Sequence, residues 1–213
     1  MKVLIFAAHP DDEVMGLAGT IIKHIKQGDK VYLSIITDGV FAKYFGQDKF
    51  DLLKKRKEDC MKVGKFLGIK EIIFHDLPDA KLDTLPQLEL NKLLEKDINK
   101  IKPQRVYTHY SKEIHTDHSS IFYSTIVATR KKVKEIYCYE IIGSTQEFNP
   151  NCYVDISKEL KDKLKAMSLY KSTLEKFPNP ISVKSIKTLA EYRGIESGLN
   201  AAEAFIIYKR IEK

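Results

Sequence analysis

Short apolar runs alternate along this chain with longer segments of helical period, and that alternation constrains the fold more than any other feature. Residues 3–8, 31–36, 71–74, 105–108 and 135–139 read as strands, the first as a buried one. Between them, residues 14–26 place Leu17, Ala18, Ile21, Ile22 and Ile25 on one helical face, and residues 50–67 do the same with Leu53, Cys60, Val63, Phe66 and Leu67. Gly28 and Gly68 stand where these helices stop. Residues 88–101, closed by Pro103, and residues 118–129 complete the series. Strands alternating with helices imply a parallel sheet covered on both faces. Right-handed crossovers then give an α/β fold: a Rossmann-like, doubly wound, mostly parallel sheet in three α/β/α layers. Further on, residues 153–156 and 204–208 read as strands and residues 158–171 and 182–192 as helices. With no linker or repeat in sight, residues 1–213 are expected to form one domain.

The 213 residues, 43% hydrophobic and 31% charged, suffice for one full-sized core and exclude disorder or a disulfide-stapled mini-fold. Cys60, Cys138 and Cys152 are an odd set without metal-type spacing and read as reduced thiols. The apolar run before His9 is too short for an export signal, and no stretch nears the ~20 apolar residues of a spanning helix. A cytoplasmic protein without membrane insertion is the expectation. The net charge of +7 is modest and leaves open an anionic small molecule, weak nucleic-acid contact or nothing specific. The basic 54–57 segment, with Lys62 and Lys65, reads as a solvated helix face, and the aromatics are scattered rather than interleaved with it, so nucleic acid is not an expected partner. Gly16 and Gly19 lie inside a helix, and no phosphate loop or serine elbow is present, so dinucleotide, P-loop and serine-hydrolase chemistry are not expected either.

The polar residues sit at the carboxyl ends of the strands, the edge where open α/β sheets bind ligands. The first strand runs into His9-Pro10-Asp11-Asp12, the second into Thr37-Asp38-Gly39, the third into His75-Asp76 and the fourth into His109, with His115-Thr116-Asp117-His118 following. A catalytic metal site needs about three protein ligands and an open position. His9 and Asp12, at one strand-to-helix junction, and His118, at another, supply two imidazoles and a carboxylate suited to zinc or another divalent metal. Asp11 is then placed to act as general base. His115 can donate a proton to a leaving group or stabilise an oxyanion, with Asp117 orienting the ring and raising its pKa. Either aspartate alone also reads as a helix cap, and a lone His-x-x-His is common; the meeting of both clusters on one edge is what points to a site.

Ala8-His9-Pro10-Asp11-Asp12-Glu13 and His115-Thr116-Asp117-His118 resemble the two motifs of the PIG-L/LmbE family of zinc-dependent N-acetylglucosaminyl deacetylases. Thr37-Asp38-Gly39, Arg56-x-Glu58, Leu77-Pro78-Asp79, the stretch from Phe148 to Ser157, Arg193-Gly194 and Ala202-Glu203-Ala204-Phe205 are similar to that family too, so the resemblance spans nearly the whole chain. It implies a metal-dependent hydrolase that removes acetyl from an N-acetylated amino sugar or its conjugate, a glycoside or nucleotide sugar. By the family pattern His9, Asp12 and His118 bind Zn²⁺, with Fe²⁺ or Co²⁺ as alternatives. Asp11 is the base, His115 and Asp117 assist, and Arg56 and Asp79 touch sugar hydroxyls. One departure is Thr116, where many members have proline; it bears on loop stiffness more than on chemistry. Substrate selectivity is expected from residues 40–49, with Tyr44 and Phe45. The rival readings are a zinc hydrolase of another small-molecule amide, a basic nucleic-acid-binding domain and a closed structural metal module; a homo-oligomer is left open.

Overall fold

Successive side chains of the first strand enter different cores. In β1 (Lys2–Ala7), Val3, Ile5 and Ala7 pack into one apolar cluster, while Leu4 and Phe6, followed by Ala8, pack into another, and all six are fully buried. Only a strand covered on both faces accepts such an unbroken apolar run. The computed structural model, which describes residues 1–40 and 48–212, places this strand inside a seven-stranded sheet. Its neighbours are β2 (Lys30–Thr37) and β4 (Arg105–His109), both parallel to it, with Val3 paired to Val31 and to Arg105. Beyond them lie β3 (Glu71–Leu77) on one side and β5 (Glu135–Tyr139) on the other, again parallel. The C-terminal strand β7 (Ala202–Arg210) pairs antiparallel with β5, and β6 (Cys152–Asp155) closes the order β3-β2-β1-β4-β5-β7-β6.

Helices cover both faces. On one side are α1 (Asp12–Lys26), α2 (Asp48–Leu67), α5 (Leu160–Leu169) and α6 (Val183–Ser197); on the other are α3 (Gln87–Ile101) and α4 (Thr116–Thr129). The apolar stripe read for α1 is the buried one: Leu17, Ala18 and Ile21 are wholly buried, and the two larger side chains contribute roughly 1.5–3 kcal/mol each. The expected α/β/α layering is therefore observed.

Two elements depart from their expected bounds. β3 continues through Leu77, so His75 lies within a strand rather than beyond its end. Its Nε2 meets Asp97 Oδ2 of α3 at 2.8 Å, and the Ser34 hydroxyl donates to the same oxygen. The last helix is longer than its pattern indicated, running on to Ser197 before Gly198. Among the described residues no helix is long and apolar enough to cross a membrane.

Candidate metal and catalytic site

β1 and β4 are neighbours, yet the chain leaves them in opposite directions, β1 towards β2 and β4 towards β5. That reversal opens a crevice at their carboxyl ends, and both motifs empty into it. Leaving β1, the chain turns at Asp11 with φ 121° and ψ −23°, a backbone conformation that costs a non-glycine residue of order 1–3 kcal/mol. The turn is held from behind. The Asp11 N–H donates to Glu13 Oε2 at 3.2 Å, and the Tyr170 hydroxyl donates to Glu13 Oε1 at 2.6 Å. The Asp11 side chain makes no capping bond to α1, and the Asp12 carboxylate turns back to accept the His9 N–H at 2.8 Å. The helix-cap reading therefore fails for the Asp11 side chain.

Three acceptor atoms converge in front of this turn. His9 Nδ1 lies 3.4 Å from Asp12 Oδ2, His118 Nε2 lies 3.2 Å from His9 Nδ1, and His118 Nε2 lies 3.6 Å from Asp12 Oδ2. Corners of a tetrahedral shell with 2.0–2.1 Å bonds stand about 3.3–3.4 Å apart, so the triangle has the dimensions of a metal-binding face. The outer nitrogens fix the tautomers. His9 Nε2 faces Asp79 Oδ1 at 3.0 Å and Asp117 Oδ2 at 3.3 Å, and His118 Nδ1 faces Glu113 Oε2 at 3.0 Å. Each outer nitrogen thus carries the proton, and each inner one presents a lone pair. Two lone pairs and a carboxylate oxygen facing one another fit a cation at the centre. Without a metal a proton takes that role: burial opposes charge on His9, but its bonds to Asp117, Asp12 and Asp79 raise it well above the ordinary imidazole range.

Residues 4–129, more than half of the chain, match the sequence profile of PIG-L, GlcNAc-PI de-N-acetylase. The chain belongs to the PIG-L family. It is 28% identical to the diacetylchitobiose deacetylase of Thermococcus kodakarensis, over 95% of this chain and 81% of that protein. It is 26% identical to a probable N-acetyl-alpha-D-glucosaminyl L-malate deacetylase 2 of Bacillus subtilis, over 81% and 83%. The structure superposes on N,N'-diacetylchitobiose deacetylase from Pyrococcus horikoshii with a TM-score of 0.82 and 27% identity, covering 98% of this chain and 84% of that one. It is accordingly an N-deacetylase, and its hydrolysis is metal-dependent.

Within this PIG-L site, Asp11 is 6% exposed, and burial together with the neighbouring Asp12 raises its carboxyl to about 7, against the pull of Arg56. Burial lowers His118 to about 3, which keeps it an unprotonated ligand near neutrality. His115 caps α4 by accepting the Asp117 N–H on Nδ1 at 3.3 Å, leaving its proton on Nε2. Here the structure corrects the sequence reading. The Asp117 carboxylate does not hold His115; it accepts the amides of Ala80 and Leu82, at 2.7 and 3.0 Å, and faces His9. Burial, then the charge of His9, lower His115, so the ring is neutral rather than cationic. Asp79, expected on a sugar hydroxyl, likewise directs Oδ1 to His9.

Arg56, more than two turns into α2, reaches back to the carboxyl edge of the sheet. It is 8% exposed, its Nη1 donates to the Gly39 carbonyl, and its Nε has no partner among the described residues. Gly39 has φ 65°, in the left-handed region that favours glycine, and a Cβ there would sit 2.6 Å from Arg56 Nη1 and displace the end of that side chain. The selectivity expected of Tyr44 and Phe45 falls outside the described residues.

Two members of the site were missed in the sequence. Glu113 joins His118 to the Ser144 and Thr145 hydroxyls; its place two residues before His115 was the only signal. His109 is fully buried, accepts the Ala8 N–H at 3.0 Å and stacks on His118 with centroids 3.9 Å apart. The sequence reading set it at a strand end, outside the metal ligands and catalytic residues.

Proposed function

We propose that this chain holds zinc through His9, Asp12 and His118 and removes the acetyl group from an N-acetylated amino-sugar conjugate. The observation that carries the reading is the triangle of three inward-facing acceptors beside the buried Asp11, whose carboxyl is pushed up by burial and by Asp12. The named relatives, which act on diacetylchitobiose and on an N-acetylglucosaminyl malate, support the amino-sugar class. Iron or cobalt are the alternative metals, and a cytoplasmic setting, with Cys60, Cys138 and Cys152 free, belongs to the same proposal.

Bound zinc supplies a Lewis acid for the acetyl carbonyl and an acidified water. The protein's part then follows from its side chains. Asp11 takes a proton from the attacking water as its oxygen bonds to the carbonyl carbon. His115 donates its Nε2–H to the carbonyl oxygen as that atom gains charge, a role that a neutral ring fills. Asp11 returns the proton to the amine nitrogen as the C–N bond breaks, giving free amine and acetic acid, which loses its remaining proton to solvent as acetate. Asp79, Asp117 and Glu113 hold the two imidazoles in register throughout. Arg56, buried beside Asp11 with an unused Nε, is the proposed contact for a sugar hydroxyl.

Acetate release should be measured across N-acetylated glycosides, nucleotide sugars and simple N-acetyl amines, with chelated, zinc-, iron- and cobalt-loaded protein. Turnover confined to amino-sugar conjugates and restored best by zinc is expected. Equal turnover of the simple amides would move the assignment to a general amidohydrolase.

A further inference from the structure

We propose that Glu203 and Lys163 are positioning residues for the deacetylase site, acting through a break in α1; the proposal rests on the roles given to Asp11 and Asp12. Helix α1 is two segments: Leu17 has φ −152° and ψ 25°, outside the helical region. Both segments enter the same core, the first through Val14 and Met15 and the second through Ile21 and Ile22, and a straight helix would hold the two to one axis. The break lets the first turn, which carries Asp12 and accepts at the Asp11 carbonyl from Val14 and Met15, take its own direction.

The break is built from charge. In an unbroken helix the Gly19 N–H would donate to the Met15 carbonyl. Here Gly19 donates instead to Glu203 Oε1 at 2.9 Å, and Thr20 donates to Oε2 at 2.7 Å. The Met15 carbonyl accepts from Lys163 Nζ at 2.9 Å. Lys163 and Glu203 are themselves paired at 2.6 Å, with side chains only 3% and 2% exposed. The carboxylate thus sits on the amide end of the second segment and the ammonium on the carbonyl end of the first, each in the favourable sense of the helix dipole. Gly16 and Gly19 make room: a Cβ at either would lie 2.5 Å from Tyr139 or Ile156. The Ala202-Glu203-Ala204-Phe205 segment, otherwise without a part in the chemistry, acquires one.

An uncharged core would let the Met15–Gly19 bond close and the first turn realign. Lys163→Met/Glu203→Leu tests this, because replacing a buried ion pair by apolar side chains is often neutral for stability. Zinc affinity by chelator competition, kcat and KM for acetate release, and thermal midpoint should be compared with wild type. The expected result is a folded protein whose zinc affinity falls about 10–100-fold and whose kcat falls about 100-fold, with KM little changed. A core strut would shift only the thermal midpoint; zinc affinity and kcat within about threefold of wild type would overturn the proposal. If the double variant does not fold, Glu203→Gln, nearly isosteric, is read on the same two quantities by the same criteria. Failure of wild type itself to bind zinc would instead overturn the metal assignment, a distinguishable outcome.

Discussion

The two ends of the parallel sheet both hold buried histidines beside aspartates, and they do opposite things with them. At the amino end, His24 Nδ1 meets Asp29 Oδ2 at 2.7 Å and its Nε2 meets the Tyr107 hydroxyl at 3.0 Å. Asp29 also takes the amino terminus, so the carboxylate has two donors. Each polar atom of the His24 ring has a partner, and no lone pair faces an empty space. At the carboxyl end, the outward nitrogens of His9 and His118 are satisfied by carboxylates, and the inward atoms converge: His9 Nδ1, His118 Nε2 and Asp12 Oδ2 face one another. A His–Asp pair is therefore no mark of a site; converging acceptors with their donors turned away are.

The largest effect should come from Asp11→Asn, which keeps shape and metal but cannot take a proton. A fall in kcat of ~10²–10⁴-fold with metal content unchanged is expected; a near-normal rate would reduce Asp11 to a turn former. The sign of the wild-type pH profile follows. Asp11 works deprotonated, and burial with Asp12 raises it, so the acid limb of kcat/KM should lie above the ordinary 3.8 and at or below about 7, where a bound cation draws it down. Asp11→Asn should abolish that limb.

Glu113→Gln weakens the hold on His118 without removing a ligand. Metal affinity should fall about 10–100-fold, as for other outer-shell carboxylates. An unchanged affinity would make the Glu113 contact incidental.

How much of this was legible in the sequence depended on whether contacts were local. His9, Pro10, Asp11 and Asp12 are consecutive, and the end of an apolar run placed them at once. The five parallel strands were readable for the same reason, since the apolar runs of β1, β2, β4 and β5 are buried and that of β3 packs partly buried against the same cores. What escaped was set by distant partners. Asp117 was assigned to His115 because the two are neighbours in sequence, but the amides of Ala80 and Leu82 capture its carboxylate. The break in α1 was invisible because its cause, Lys163 and Glu203, lies about 150 residues or more away along the chain.

The smallest effect belongs to the amino end. Burial lowers the His24 pKa, so the fold disfavours its charged form; stability contributed there is full above the unfolded value near 6.5 and declines as pH falls below it. His24→Gln should flatten that part of the stability profile, measured by urea melts from pH 5 to 8, and leave deacetylation unchanged.

The most direct test of the contrast is metal content by elemental analysis after zinc reconstitution and desalting, on wild type, His24→Gln and His118→Ala. About one zinc per chain in the first two, and loss of both zinc and acetate release in His118→Ala, is the predicted result. Full zinc retention in His118→Ala would contradict the assignment of the carboxyl-end triangle as the metal site.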